Sequence, residues 1–246
     1  MKTKTLLMGI LNVTPDSFYE KSRTTTVENA VDKALQLQGE GADVLDIGGE
    51  STRPGSPPVS EKEEIARILP VLEALQEKIT IPLSIDTTKP AVAKAAIKAG
   101  ATLLNDITGF SNEEMIAVAL ETGCELCVMH MQGTPQTMQV NPHYEEGVTA
   151  HLIAWFEEKI KILVRKGIQT EKIILDPGIG FGKTVAHNLE IIHNLPLLRR
   201  LGFRVLLGMS RKSFLSKILN QPTEHLLPAT IAVSTLAISN GNAAYR

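Results

Sequence analysis

The residues best suited to chemistry in this chain lie at the ends of short apolar runs. In the stretch 46–55, a carboxylate is followed by two glycines that free the backbone for a sharp exit, then by two hydroxyls and a guanidinium. Other apolar runs also end in an acid, an amide or a basic residue. The polar residues at these ends are Asn12, Asp46, Asp86, Asn105, Asp176, Lys212 and Arg246. Because interior charge is costly without a purpose, this set favours a functional role.

Two of these residues have the groups needed to bind a flat heterocycle. The carboxylate of Asp176 can accept two parallel hydrogen bonds from a 2-amino-pyrimidinone edge, and the Lys212 ammonium can donate to a ring oxygen or nitrogen. Asp86 and Asn105 can add contacts to a fused ring. Each carboxylate taken alone is equally consistent with a helix cap or a loop brace, so the prediction depends on the whole set.

A second group of residues is suited to an anion. An anionic leaving group such as diphosphate needs cations, which Arg53 and Arg246 provide, and the carboxamide oxygen of Asn12 can also ligate Mg²⁺. The glycine-flanked loop of Arg53 suits a mobile lid. Ser213 stands at a predicted helix start, where free backbone N–H groups can hold a carboxylate, although plain helix capping explains it as well.

Two further features do not support a cofactor or a metal site. The glycine-rich loop 178–182 matches neither the P-loop pattern nor the dinucleotide fingerprint, and it follows strand six without opening a helix at once, so a nucleotide cofactor is discounted. His130, His187 and His193 lack the i, i+4 spacing of metal ligands and are predicted to be hydrogen-bonded structural histidines.

Placing these side chains requires strands that alternate with helices. The predicted strands are 5–13, 44–47, 82–86, 102–107, 126–130, 172–176, 203–209 and the start of an eighth at 243–246. Such alternation implies a parallel sheet, and eight strands most simply close a (β/α)8 TIM barrel with its site at their carboxyl ends. We therefore predict one α/β domain over residues 1–246. The sequence stops inside the eighth strand, so the last helix of such a barrel is absent from it.

Capping patterns and helical periodicity place the helices. Thr25-x-x-Glu28, Ser60-x-x-Glu63 and Ser111-x-x-Glu114 have the form of capping boxes. Pro90 suits a first helical position, and the later helices are predicted over 151–166, 188–201 and 228–239.

Composition argues against several classes of protein. Apolar residues make up 43% of the chain and charged residues 21%, with a formal net charge of −2, so nothing attracts the chain globally to nucleic acid or to an anionic membrane. No signal-peptide pattern or membrane-length apolar run is present, and we expect a cytoplasmic protein with neither partner. Cys124 and Cys127 form a lone C-x-x-C and are interpreted as small buried hydrophobes.

Taken together, the motifs resemble those of the dihydropteroate synthase family, in the family's order. The matching stretches are 9–18, 46–55, 84–87, 105–107, 129–133, 176–183 and 208–213. The resemblance covers essentially the whole chain, and the combination is highly specific. It implies a transferase of folate biosynthesis, in which p-aminobenzoate displaces diphosphate from (7,8-dihydropterin-6-yl)methyl diphosphate to give 7,8-dihydropteroate. It also implies Mg²⁺ as cofactor, a homodimer, and competition by sulfonamides for the p-aminobenzoate site.

The resemblance gives each matching position a role. It implies that the catalytic residues are Arg53, Asp86 and Lys212. It implies a pterin site made by Asp86, Asn105, Met129, Asp176, Gly208 and Lys212. The implied p-aminobenzoate site consists of Phe18, Thr52, Arg53, Pro54, Phe181 and Ser213. Diphosphate would be bound by Asn12, Thr52 and Arg246, and Asn12 would also ligate Mg²⁺.

The sequence departs from the family pattern in two places. Residues 19–22 read Tyr-Glu-Lys-Ser where the family has a Ser-Asp-Gly-Gly type of run, and the loss of two glycines is expected to restrict closure of that loop. The sequence also stops at Arg246, where the family continues with a Val-His pair whose histidine contacts the anion site.

Three other functions stay open on the sequence alone. A methyltransferase that uses methyltetrahydrofolate would share the pterin residues, although the stretches 14–18 and 52–54 favour the synthase. A barrel aldolase would use Lys212 in a Schiff base. A non-catalytic partner subunit is disfavoured because the residues for both the heterocycle and the anion are present.

Overall fold

Strands and helices alternate along the chain in the computed structural model. The structure describes residues 4–14, 23–51, 56–239 and 244–245, with the backbone alone for 23–26 and 244–245. The strands are β1 (Met8–Asn12), β2 (Val44–Gly48), β3 (Leu83–Asp86), β4 (Leu103–Asp106), β5 (Glu125–Met129), β6 (Ile173–Asp176), β7 (Arg204–Leu207) and β8 (Ala244–Tyr245). The helices are α1 (Arg23–Gly39), α2 (Glu61–Leu75), α3 (Pro90–Lys98), α4 (Glu113–Thr122), α5 (Val148–Arg165), α6 (Val185–His193), α7 (Leu195–Arg199), α8 (Ser213–Leu219) and α9 (Leu227–Ser239).

The chain divides into two compact units. One is Leu6–Cys127, and the other is Val128–Arg246 together with Met1–Thr5. In the first unit, β1, β2, β3 and β4 pair in chain order, and every pair is parallel. In the second unit, β6 pairs with β7 and β7 with β8, again in parallel. The prediction of an α/β fold with parallel strands is therefore confirmed.

The strands β2, β3, β4 and β6 are largely buried apolar runs. Leu45, Ile47 and Ile85 have no exposed surface, and Leu103 has 3%. Strands covered on both faces are typical of parallel sheets flanked by helices. The polar residues within β2, β3 and β4 are correspondingly confined to the strand ends or to paired positions, where they define the site.

The helix starts confirm part of the capping prediction. Ser60 is the N-cap of α2 and accepts a hydrogen bond from the Glu63 N–H, and Pro90 is the first residue of α3. At α4 the prediction was wrong by one residue, since Asn112 rather than Ser111 accepts from the Glu114 N–H. Asn is as good a cap as Ser, so adjacent candidates cannot be separated by residue type. Helix α1 begins at Arg23, ahead of the predicted cap Thr25.

The helical region after β6 also differs from the prediction. One helix was predicted over 188–201, but the structure has α6 and α7, which meet at Asn194. Pro196 lies in the first turn of α7 and has no N–H to donate to the preceding turn, which ends α6. Helix α5 begins at Val148, three residues before the predicted start, after Gly147 with φ 85°.

Cys124 and Cys127 are both buried and are not disulfide-bonded, as expected of small hydrophobes.

Within the described part of the chain, no helix combines the length and the apolar character that crossing a bilayer requires.

Candidate active site

A row of polar side chains crosses the first unit at the carboxyl ends of its strands. The strand register pairs Asn12 with Gly48, Gly48 with Asp86, and Asp86 with Asn105. Residues in register on neighbouring parallel strands point to the same face of the sheet. A Cβ added at Gly48 would lie 3.6 Å from Asn12 Oδ1 and 3.7 Å from the Asp86 Cβ, so Gly48 leaves room between these two side chains. The structure thus brings Asn12, Asp86 and Asn105 together, as predicted.

A buried carboxylate lies one layer beneath this row. Both oxygens of Asp46 are hydrogen-bonded: Ser84 Oγ donates to Oδ1 at 2.7 Å and Asn105 Nδ2 donates to Oδ2 at 3.0 Å. Asp46 and Asn105 are almost completely buried. Because Asn105 Nδ2 is held by Asp46, the amide has one orientation, with Oδ1 as the remaining acceptor. No donor among the described residues reaches Asn105 Oδ1, so this buried acceptor is left unsatisfied by them.

An ion cluster that the sequence alone does not reveal braces the backbone that leaves β2. Lys89, just before α3, contacts both Glu50 and the buried Glu64 of α2. Burial lowers the pKa of Lys89, but the hydrogen bonds to the two carboxylates outweigh it and the net pKa is raised. Glu50 Oε1 also accepts from the Val59 N–H at 2.9 Å. The cluster therefore fixes both ends of the β2–α2 loop, which contains the predicted residues Thr52, Arg53 and Pro54.

In the second unit, Asp176 ends β6 and begins the glycine-rich loop 177–182. Its Oδ1 accepts from the Gly178 N–H at 2.7 Å, and its backbone oxygen accepts from the His130 N–H at 2.9 Å. The side chain of Asp176 is buried, with 3% exposed. Met129, predicted to line the pterin slot, is buried immediately before His130.

Lys212 and Phe181 lie against each other in the same unit. The Lys212 Nζ is 4.4 Å from the centroid of the Phe181 ring, which is a cation–π contact. A Cβ at Gly180 would lie 3.4 Å from the Lys212 Cδ, so the glycine lets the lysine stem cross the loop closely. Lys212 occupies the N-cap position of α8, and Ser213, its first residue, is exposed. Gly208 follows β7 and is half-buried.

Lys183 is a site residue that the sequence did not single out. It is 3% exposed, and its Nζ donates to Phe181 O at 2.9 Å and approaches His130 Nδ1 at 3.1 Å and His130 O at 3.3 Å. Burial lowers the pKa of Lys183 to about 7, with Asp176 acting to raise it and Lys212 to lower it. The only sequence signal was its place at the end of the glycine-rich motif, which by itself does not distinguish a buried lysine from a surface one.

His130 belongs to an aromatic and histidine cluster behind Lys183. Its Nε2 is 3.2 Å from the His151 Nε2, and its ring makes an edge contact with Trp155 at a centroid distance of 5.0 Å. Burial, with Lys183 and His151 nearby, lowers the pKa of His130 to about 2, so the ring is neutral at physiological pH. A neutral ring that accepts from Lys183 at Nδ1 carries its proton on Nε2 and donates to His151. The prediction that His130 is hydrogen-bonded is confirmed.

The residues suited to Mg²⁺ are few. Among the described residues, no three His, Cys, Asp or Glu side chains converge as metal ligands. Asn12 is exposed and lines an open cavity of about 470 Å³ together with Asn29, Asp32 and Lys33. A single carboxamide oxygen fits Mg²⁺, because this ion is commonly held by one or two protein oxygens plus substrate phosphates and waters.

Several predicted residues lie outside the described part of the chain. They are Phe18, Thr52, Arg53, Pro54, Arg246 and the departing stretch 19–22.

Comparison with known proteins identifies the family. A family model described as "Pterin binding enzyme" matches residues 8–246. The dihydropteroate synthase of Synechocystis is 44% identical over 220 residues, which are 89% of this chain and 76% of that protein. The dihydropteroate synthase of Escherichia coli is 41% identical over 96% of this chain and 83% of that protein.

Solved structures agree with the sequence relatives. A Yersinia pestis dihydropteroate synthase in complex with a sulfonamide drug has a TM-score of 0.92 and 40% identity, covering 98% of this chain and 88% of that one. The pterin residues alone left a methyltransferase open, and Lys212 alone an aldolase, but these three relatives are all dihydropteroate synthases. The chain therefore belongs to the dihydropteroate synthase family of pterin-binding enzymes.

Proposed function

We infer that this chain performs the reaction of its family, the condensation of (7,8-dihydropterin-6-yl)methyl diphosphate with p-aminobenzoate. The products are 7,8-dihydropteroate and diphosphate. The observation that carries this function is 44% identity to the Synechocystis dihydropteroate synthase, spread over 89% of the chain. The residues that the structure describes agree with it, because they offer polar groups for a heterocycle and no activated nucleophile is required.

For the pterin, the geometry supports Asn105 and Asp86 in the first unit. Asn105 Oδ1 is buried and has no donor among the described residues, while its amide is oriented by Asp46. A ring N–H of the pterin would satisfy this acceptor, and leaving it unsatisfied costs about 1–3 kcal/mol. Asp86, paired with Asn105 in the strand register, would accept from a neighbouring ring donor.

In the second unit, we assign Asp176, Lys212, Met129 and Gly208 to the pterin. The Asp176 carboxylate is buried at a strand end and can accept two parallel hydrogen bonds from the 2-amino-pyrimidinone edge. Lys212 would donate to a ring heteroatom. Met129 and Gly208 would line the slot, in accord with their burial beside β5 and β7.

For p-aminobenzoate, we assign Phe181 and Ser213, with Phe18, Thr52, Arg53 and Pro54. The related Xanthomonas albilineans enzyme, with a TM-score of 0.92 and 39% identity over 99% of this chain and 87% of that one, is solved with 4-aminobenzoic acid. In this chain the Phe181 ring supports the Lys212 ammonium at 4.4 Å, which puts an aromatic wall next to a pterin-binding cation. Sulfonamides would compete for this site.

The chemical step exchanges one bond for another. The amine of p-aminobenzoate forms a C–N bond with the pterin methylene carbon, and the C–O bond breaks with its electron pair going to diphosphate. The amine then releases a proton to water. The protein's contribution is to orient both partners and to stabilise the leaving charge. We assign Arg53, Asp86 and Lys212 to catalysis, and Asn12, Thr52 and Arg246 to the diphosphate. Bound through Asn12, Mg²⁺ would supply positive charge to the diphosphate oxygens.

We also propose the finer architecture. The eight parallel strands would close as a (β/α)8 barrel of one domain, the form that most simply accommodates this alternation. A homodimer is supported by α9, on which Leu227, Ile231 and Leu236 each expose more than half of their surface. The cytoplasmic location stays a prediction from the sequence.

Product formation tests the function. The purified chain is given the dihydropterin diphosphate, p-aminobenzoate and Mg²⁺, and both dihydropteroate and diphosphate are measured. We expect diphosphate release to require p-aminobenzoate. Asp176→Asn keeps the side-chain shape but replaces an acceptor with a donor, and should raise KM for the pterin substrate by at least about tenfold.

Glu171→Gln, an exposed acid in the same unit, is the matched control and should leave both Michaelis constants unchanged. Failure to form dihydropteroate, despite measurable binding of the pterin substrate, would contradict the proposed function.

A further inference from the structure

The ammonium of Lys183 joins two loops of the second unit and does not face solvent. Among the described residues, its Nζ has three hydrogen-bonding partners on the protein: Phe181 O, His130 O and His130 Nδ1. One acceptor lies in the loop after β6 and the other two at the exit from β5. An ammonium has three donors, so these contacts match its full capacity.

The same two loops also meet at glycines, so their separation is tightly limited. A Cβ at Gly178 would lie 2.0 Å from His130 O, and one at Gly182 would lie 2.8 Å from Gln132 O. Both glycines have positive φ, 67° and 64°. The backbones of the two loops are in close contact at these glycines. The hydrogen bonds of the Lys183 ammonium are the polar link between the loops, called here the fastening.

The loop 177–182 contains Phe181, whose ring is proposed to line the p-aminobenzoate site. The bond from the buried Lys183 ammonium to Phe181 O fixes the backbone from which the Phe181 ring projects. That ring in turn supports the Lys212 ammonium. At the other end of the fastening, His130 directly follows Met129.

We propose that Lys183 is a positioning residue for p-aminobenzoate. Its hydrogen bond to the Phe181 backbone oxygen would fix the position of the Phe181 ring. This inference rests on the proposed function and extends it to a residue that touches neither substrate. Loss of the Lys183 ammonium would free the loop 177–182 from His130. The affinity for p-aminobenzoate would then fall more than the affinity for the pterin, because Asp86 and Asn105 lie on β3 and β4 and do not belong to this loop.

The kinetic test compares Lys183→Met, which keeps length but removes all donors, with Lys183→Arg, which keeps donors and charge. For Lys183→Met we expect KM for p-aminobenzoate to rise about tenfold, and KM for the pterin substrate to rise by a clearly smaller factor. Lys183→Arg should recover part of the loss. Lys161→Met, the same change at an exposed lysine of α5, should match the wild type.

Equal increases in both Michaelis constants would overturn the proposal, since they would indicate a general loss of structure. So would an Arg variant as impaired as the Met variant, provided that thermal unfolding shows both to be folded.

Hydrogen exchange tests the same proposal without activity. Amides 178–182 should exchange about tenfold or more faster in Lys183→Met than in the wild type, while amides of β7 exchange at the same rate. Unchanged exchange at 178–182 would overturn the proposal even if the enzyme is active. If the exchange is faster but the wild-type chain makes no dihydropteroate, the proposed function is contradicted and Lys183 is retained as the fastening of the loop.

Discussion

At the scale of single residues, burial of His130 makes the stability of the fold depend on pH. It is 2% exposed and lies against Lys183, His151, Tyr144 and Trp155. Burial, aided by Lys183 and His151, lowers its pKa from 6.5 to about 2. Between these values the unfolded chain binds a proton at this position and the folded chain does not, so stability rises with pH across the window and is lost as pH falls below 6.5.

We therefore expect the free energy of unfolding, measured by urea titration, to fall with decreasing pH between about 6.5 and about 5. The contribution of His130 should approach about 1.4 kcal/mol per pH unit. His130→Gln cannot titrate and should show a correspondingly smaller slope. His225→Gln, the same substitution at an exposed histidine, is the control. Identical slopes in all three proteins would show that His130 is not held neutral.

The sequence predicted which residues lie at the site better than it predicted which residues contact one another there. Asp86, Asn105 and Asp176 were expected at the site because they end apolar runs, and each lies at or beside a strand end. Asp46 was expected at a strand end as well, but it is the middle residue of β2. Its place beneath Asn105 depends on the register of β2, β3 and β4, which the sequence does not specify. The role of Lys183 was not predictable, because its burial results from loops that lie far apart in the sequence.

At the scale of elements, the contact between the β5 and β6 loops depends on glycine at 182. Gly182→Ala should destabilise the chain by more than the backbone cost of positive φ, which is about 1 kcal/mol, because the new Cβ would lie within about 3 Å of three Gln132 atoms. Gly202→Ala separates the two effects, since Gly202 has φ 85° but open space around its Cβ position.

Thermal unfolding of both alanine variants measures the difference. We expect the Gly182 variant to lose clearly more stability and, in kinetics, to bind p-aminobenzoate more weakly, while the Gly202 variant loses stability alone. Equal losses in the two variants would mean that the loops have room to separate.

Elements were predicted well where one local pattern decides them. Every predicted strand is present near its predicted position. A short apolar run between turn residues is typical of a buried strand, so the local pattern alone was enough to predict it. Helix starts were less certain: Asn112 displaced Ser111 as the cap of α4, since both residue types cap equally well. Pro196 explains the break between α6 and α7 at Asn194. The break was not predicted from the sequence because the helical periodicity continues on both sides of this proline.

At the scale of the whole molecule, α9 presents an apolar surface. Leu227, Ile231, Leu236 and Ile238 are 52%, 56%, 57% and 40% exposed, and Ile218 and Leu219 on α8 are nearly half exposed. A stable dimer buries about 800 Å² on each partner. If α9 lies in that interface, Ile231→Glu would bury an unpaired charge and should convert dimer to monomer in sedimentation velocity at micromolar concentration.

Gln169→Glu adds the same charge at an exposed position between α5 and β6 and should leave the dimer intact. A wild-type monomer, or an Ile231→Glu dimer, would place the interface elsewhere or remove it. The exposed apolar surface of α9 is difficult to predict from sequence. The exposure of an apolar helix depends on what packs against it and not on its own periodicity.

The glycines of the loop 177–182 also limit how this enzyme can evolve. Any residue other than glycine at 178 would place a Cβ 2.0 Å from a backbone oxygen, and at 182 it would meet the backbone of Gln132. A population exposed to an inhibitor that mimics p-aminobenzoate thus gains no viable variants from these codons. Escape through this loop is left to positions such as Phe181, where a change that weakens the drug also weakens the substrate that the drug resembles.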